Sequence, residues 1–181
     1  MPLRNLREMP WIGESPVTDL ANTVLVGAGP AGEEVDLLAD PQLLASWRDK
    51  AVDRQLANLP VDQLQELREP VRLALDAGAR QIPLPGPART RLNTLAAQAP
   101  VTFQVDDAGH LTECEAGGPV AAAVARQALV LAAGPDQARL RRCPAPSCGM
   151  FFLARRRDQA WCSIGCGNRA RAARRSGQRV G

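Results

Sequence analysis

The stretch "CPAPSCGMFFLARRRDQAWCSIGCGNR", Cys143 to Arg169, holds four of the chain's five cysteines. They fall as Cys143-x4-Cys148 and Cys162-x3-Cys166, with thirteen residues between the pairs. Two close thiol pairs separated by a short segment are what a closed tetrahedral zinc site requires, since four thiolates fill every position round the ion. The first pair spans "CPAPSCG". Its two prolines and Gly149 stiffen a tight turn that can aim both sulfurs inward. The second pair is spaced i, i+4, which puts both sulfurs on one side of a first helical turn, where the helix N-terminus favours thiolate over thiol.

Between the pairs, "MFFLARRRDQAWC" reads as a β-hairpin, with Phe151, Phe152 and Trp161 packed over the metal and "ARRRDQ" turned to solvent. The helix "SIGCGNRARAARR" follows. Knuckle, hairpin, then helix is the order of a treble-clef-like module. So small a segment buries too little apolar surface to hold itself folded, and a metal is the usual remedy. Disulfides and an iron–sulfur cluster are the alternatives. A reducing cytoplasm argues against the first, and the pair spacings do not match the ferredoxin patterns. The expectation is one structural Zn2+ held by Cys143, Cys148, Cys162 and Cys166. With four thiolates no position stays open for water, so this zinc is not catalytic.

Charge divides at the same place. From Arg141 to Gly181 there are ten arginines against Asp158 alone, a net +9, while the remainder carries twelve basic and eighteen acidic residues, a net −6. A tetrathiolate zinc carries −2, leaving the tail about +7. An acidic body with a basic tail points to an acidic polymer as the tail's partner, most often nucleic acid. Arg155, Arg156 and Arg157 fall in the expected hairpin turn, and Arg171, Arg174 and Arg175 share a helix face. These six and Arg169 are the candidate nucleic-acid contacts. Asn168 and Arg169 allow two readings: support for the metal site, or contact with DNA. The tail could equally be stapled by the metal while its arginines pair with the acidic body.

The body reads as mainly helical. Aromatics are few (three Trp, three Phe, no Tyr), so the core depends on Leu, Val and Ala, which suits packed helices. Arginine outnumbers lysine, with Lys50 the only lysine, as GC-rich codon usage would produce. The first sixteen residues read as an irregular arm, "VTDLANTVLV" as a helix, and "GAGPAGEE" as a Gly-rich loop that lacks the phosphate-binding pattern. Asp40 and Pro41 start a helix as N-cap and first residue. Leu64, Leu67, Val71 and Leu75 mark the buried stripe of the longest helix, with Pro70 expected to bend or interrupt it and Gly78 to cap it. "ARTRLNTLAAQA" is another helix. Val101, Phe103 and Val105 alternate, and with "HLTECEA" predict a β-hairpin turning at Gly109. "GGPVAAAVARQALVLAAG" returns to helix. The division falls into residues 1–137, a helical body expected to fold without the tail, and 138–181, the finger.

Cys-x4-Cys, an aromatic hairpin and "WCSIGCGNRARAARR" together resemble the CGNR zinc finger, named for the tetrapeptide that stands here as Cys166-Gly167-Asn168-Arg169. The body resembles the ABATE domain found before that finger: "DLANTV", "DLLADPQLLASW" and "ELREPVRLAL" match its segments. The resemblance implies a bacterial, stress-induced transcription regulator, with a sensor body and a DNA-binding finger. One departure is Ala160, where the family usually has a basic residue before Trp-Cys; the turn "ARRRDQ" could carry that charge instead.

Asp19, Asn22 and Thr23 are polar residues in an otherwise apolar first helix. They could line a pocket for a small-molecule effector, or bond to backbone and hold a loop. His110 is the only histidine, beside a hairpin turn. Cys114 reads as a lone strand thiol, since no second histidine could serve as its base. No secretory signal or membrane span is visible, so a cytoplasmic protein is expected. An adaptor whose finger docks on a protein such as the transcription machinery is the alternative to DNA binding. An enzyme is the third reading, with a closed metal site, no nucleotide loop and no triad against it.

Overall fold

The computed structural model describes residues 12–27, 33–115 and 117–177. Most of the expected N-terminal arm and of the Gly-rich loop lies outside the described residues. The chain runs α1 (Pro16–Ala21), β1 (Val24–Leu25), β2 (Val35–Asp36), α2 (Pro41–Lys50), α3 (Arg54–Ala57), α4 (Val61–Arg80) and α5 (Gly86–Ala96). Then come β3 (Val101–Val105), β4 (Leu111–Glu115), α6 (Val120–Ala133), a 3-10 turn (Pro135–Arg139), β5 (Leu140–Arg142), β6 (Phe151–Leu153) and α7 (Ile164–Gly177). The fold is mainly helical, with three two-stranded antiparallel ribbons among the described residues and a metal-binding finger at the C-terminal side.

The body is organised on α4. Leu64, Leu67, Val71 and Leu75 are buried on one side of it, as their spacing predicts. Helices α5 and α6 pack against it and against each other. The inner face of α6 is small: Ala122, Val124, Ala125, Ala128 and Ala132 are buried. Small side chains let α4 and α6 approach closely. At the contact lies Gly78, where a Cβ would stand 2.8 Å from the Cα of Ala132.

Two expectations about α4 are thereby corrected. Gly78 is a packing residue inside the helix; the helix ends at Gln81, whose left-handed backbone (φ 55°) returns its N–H to the carbonyls of Ala77 and Gly78. Pro70 lies buried within the twenty-residue helix and does not interrupt it, because tertiary packing outweighs the lost hydrogen bond. The first helix is also shorter than its apolar spacing suggests. It stops at Ala21, and Val24–Leu25 pairs with Val35–Asp36. Asn22 and the β-branched Thr23 and Val24 favour leaving the helix there. Asp40 and Pro41 start α2 as expected, with the Asp40 carboxylate accepting from the N–H of Gln42 and Leu43. The β3–β4 hairpin forms in the expected place. Asp106 accepts from the N–H of Ala108 and His110, and Gly109 takes the left-handed position (φ 84°).

The finger's hairpin is not where the sequence placed it. Leu140–Arg142 pairs with Phe151–Leu153, so the Cys143–Gly149 knuckle is the hairpin's turn, and residues 154–163 return to α7 by turns. The division expected between body and finger, at residues 137 and 138, falls just before the Leu140–Arg142 strand. In the structure Leu140 is fully buried, Arg141 half-buried and Arg142 exposed along the paired strand. Leu140, Phe151 and Phe152 join Val17, Leu20 and Leu75 in a single hydrophobic core, so body and finger share their interior. Among the described residues no helix is long and apolar enough to cross a membrane.

Candidate metal centre

The four sulfurs of Cys143, Cys148, Cys162 and Cys166 all lie within 4.8 Å of one another, and all four residues are buried. None forms a disulfide. Zinc–sulfur bonds of about 2.3 Å in a regular tetrahedron set a sulfur–sulfur edge of about 3.8 Å. Three of the separations are 3.6 Å (Cys148–Cys162), 3.3 Å (Cys162–Cys166) and 3.7 Å (Cys166–Cys148). The donor set therefore fits one structural zinc ion. Such crowding also needs a cation. Hydrogen bonds from Cys148 and Cys162 lower the Cys143 thiol to about 7, while Cys143, Cys148 and Cys166 push Cys162 far above the ordinary thiol value. Four groups this close share protons between them, and a divalent ion removes the conflict.

Local sequence builds each half. In the knuckle, Gly149 has φ 69°, and its N–H returns to the Cys143 carbonyl while Cys143 N–H donates to Met150. A side chain at Gly149 would meet Val26 of the body at 2.9 Å. On the other half, Ser163 precedes α7 and its hydroxyl accepts from the N–H of Cys166 at 3.2 Å, fixing Cys166 on the helix's first turn, while Cys162, expected there too, stands just before the helix. Sequence reasoning missed this Ser163 cap, although a serine just before a helical pattern is its usual signal.

Arg169 turns onto the metal site. Its Nη2 lies 3.1 Å from the Cys166 sulfur, and its Nε donates to the Pro146 carbonyl at 3.2 Å. It thus ties the helix to the knuckle and offsets thiolate charge. The other arginines face outward. Arg156, Arg157, Arg174 and Arg175 are exposed. Arg155 pairs with Glu14 of the body at 3.1 Å. Arg171 lies over the Trp161 ring at 6.0 Å and donates to the side chain of Asn168 at 2.6 Å. A cavity of about 720 Å³ opens between the 155–161 turn and the first turn of α7, bordered by Arg155, Arg156, Trp161, Ile164 and Arg171. The two arginine-bearing elements therefore flank one cleft.

Asp19, Asn22 and Thr23 are completely buried, and their polar atoms bond to the protein itself. The Asp19 carboxylate accepts from the N–H of Gly13 (2.6 Å) and Val52 (2.8 Å). Burial raises its pKa against those bonds. Thr23 donates to the Leu20 carbonyl and accepts from Arg68. Asn22 reaches the finger: its Nδ2 donates to the Phe151 carbonyl at 3.0 Å, and its Oδ1 accepts from Phe151 N–H at 2.8 Å. The pocket expectation gives way here to an anchoring role. Arg142 adds a bridge to Asp76 at 2.8 Å, and the Arg72 and Arg142 guanidiniums lie 5.7 and 5.6 Å from the Phe151 ring centre. His110 is exposed beside Asp106, and Cys114 is a partly buried free thiol on β4.

Comparison with known families agrees with this construction. A family model named ABATE, described as "Putative stress-induced transcription regulator", matches residues 14–135. A second, the CGNR zinc finger, matches residues 139–179. No curated protein shows significant similarity to the chain.

Proposed function

The chain belongs to the ABATE family and carries a CGNR zinc finger, and from that premise we propose that it regulates transcription by binding duplex DNA through the finger. The observation that carries the reading is the shared cleft. The Arg155–Arg157 turn and the first turn of α7 border one cavity, beside a zinc site that fixes α7 to the knuckle. Arginines on two neighbouring elements suit the phosphates of a duplex. The zinc is structural, since four thiolates leave no position for water or substrate. The body acts as the regulatory half. Its coupling to the finger runs through the shared core and the Asn22 bonds to Phe151.

Replacement of Arg156, Arg157 and Arg174 by Ala tests the proposal. Binding to all duplex sequences should weaken alike, and the slope of log affinity against log salt should become shallower by up to about three units. The adaptor reading takes its place if the zinc-loaded protein binds no duplex at low salt, because the same arginines could dock on an acidic protein surface.

A further inference from the structure

In the tetrapeptide Cys166-Gly167-Asn168-Arg169, three residues have uses inside the fold. Cys166 is a metal ligand. Gly167 is buried, and a Cβ there would come within 3.4 Å of both Trp161 and Arg171. Arg169 binds a ligand sulfur and the knuckle carbonyl. Asn168 is different. It is exposed, caps nothing, and its amide oxygen accepts from Arg171 Nη2 at 2.6 Å. An asparagine in the interior of a helix is a weak helix former, so helix propensity does not account for it.

Its neighbours on the surface are also informative. Ile164, Asn168, Arg171 and Arg175 are spaced i, i+4, i+7 and i+11, which puts them on one narrow stripe of α7. All four are exposed, whereas Cys166 and Ala170 are buried on the opposite side. Ile164, at 84% exposure, is the most exposed of the large apolar side chains among the described residues, and it stands at the mouth of the arginine cleft. A β-branched apolar residue at that place gains nothing from the fold of its own chain. Ala172 and Ala173, also exposed, leave the flanks of this helix low.

The geometry points to this stripe as the edge of α7 that reads bases in the major groove, with Asn168 the residue that selects an adenine and Ile164 the contact to a neighbouring thymine methyl. The inference rests on the DNA-binding reading above and adds to it a division of labour. The charge on this face commits it to an anionic partner: Arg171 and Arg175 lie on the stripe itself, Arg155 and Arg156 line the cleft at its Ile164 end, and only Glu14 and Asp158 are acidic in that cleft's lining. An amide can pair with an adenine through one acceptor and one donor. Arg171 occupies one side of the Asn168 oxygen and leaves its second lone pair and the amide N–H groups directed outward. Arg171, leaning on Trp161, is thus a positioning residue for Asn168. Exposed arginines off the stripe, Arg157 and Arg174, supply sequence-independent attraction.

The test is selection of binding sites from a random duplex library by the zinc-loaded full chain and by Asn168→Ala and Ile164→Ala, with zinc content and salt slope measured for each. The wild-type chain should enrich sites with a fixed adenine beside a thymine. Asn168→Ala should lose the adenine preference by roughly tenfold or more, with zinc stoichiometric and the salt slope unchanged. Ile164→Ala should relax the adjoining position. Should Asn168→Ala lose zinc, Asn168→Ser replaces it. Wild-type binding that favours no sequence, or an unchanged preference in the Asn168 variant, overturns the inference while leaving phosphate binding intact. A zinc-loaded wild-type chain that binds no duplex at low salt, or that captures an acidic polypeptide such as polyglutamate instead, removes both.

Discussion

Replacing Asn22 with alanine should destabilise the whole protein, not the first helix alone. The Asn22 side chain and the Phe151 backbone exchange two hydrogen bonds, at 3.0 and 2.8 Å, and both residues are at most 1% exposed. Alanine would strand a buried N–H and a buried carbonyl on β6. Each stranded group costs about 1–3 kcal/mol, so a loss of about 3–5 kcal/mol is expected. That is a large part of the roughly 5–15 kcal/mol typical of a domain. At about 2–4 °C per kcal/mol for a chain of this size, the midpoint should fall by roughly 10 °C. The assay is denaturant unfolding at fixed excess zinc, so that metal linkage is constant. Asn22→Leu separates the causes, because it refills the space and leaves the two groups unpaired. It should be nearly as unstable as the alanine variant. If both variants lie within about 1 kcal/mol of wild type, the Asn22 bridge does not tie body to finger and the reasoning fails.

Other consequences are open to measurement. The wild-type chain should hold near-stoichiometric zinc and Cys162→Ser should lose it; full retention, or stoichiometric iron, would contradict the site. A chain ending at Asp136 lacks Leu140, Phe151 and Phe152, which lie in the common core, so it should melt below the full protein; equal midpoints would mean two independent cores. Burial pushes the Asp36 carboxyl upward, but its bonds from Arg68 and Leu38, with the charges of Arg68 and Arg72, bring it below the ordinary carboxylate value. The stabilisation is therefore complete above that ordinary value and is lost as pH falls through the depressed one. Asp36→Asn should cost about 1–2 kcal/mol at pH 7, and the gap to wild type should close in acid. A gap that stays constant down to about pH 2 would sink the assignment.

The metal centre was legible because paired cysteines carry their chemistry in their spacing, and the helix order because apolar stripes such as Leu64–Leu75 repeat at the helical period. What the spacing did not show was long-range pairing. The partner of Phe151–Leu153 is Leu140–Arg142, just past the expected division between body and finger, and no local pattern marks the two as a pair. Asn22 was visible as an out-of-place polar residue, but its partner lies 129 residues away, and no local pattern encodes that distance. Gly78 resembled a helix stop because only the position of Ala132 on another helix reveals why a side chain is excluded there. Arg169 and Arg155 look alike in the sequence; one faces a ligand sulfur and the other a body carboxylate.

The central claim is that a zinc-fixed face of arginines holds duplex DNA. Its most direct test is fluorescence anisotropy of a labelled duplex titrated with the zinc-loaded chain across a range of salt concentrations, repeated after chelation. If about four to six arginines reach phosphates, log affinity should fall against log salt with a slope of about −4 to −5, and chelation should abolish most of the binding. A zinc-loaded chain that fails to bind at low salt, or one whose affinity and slope survive chelation unchanged, would contradict the account.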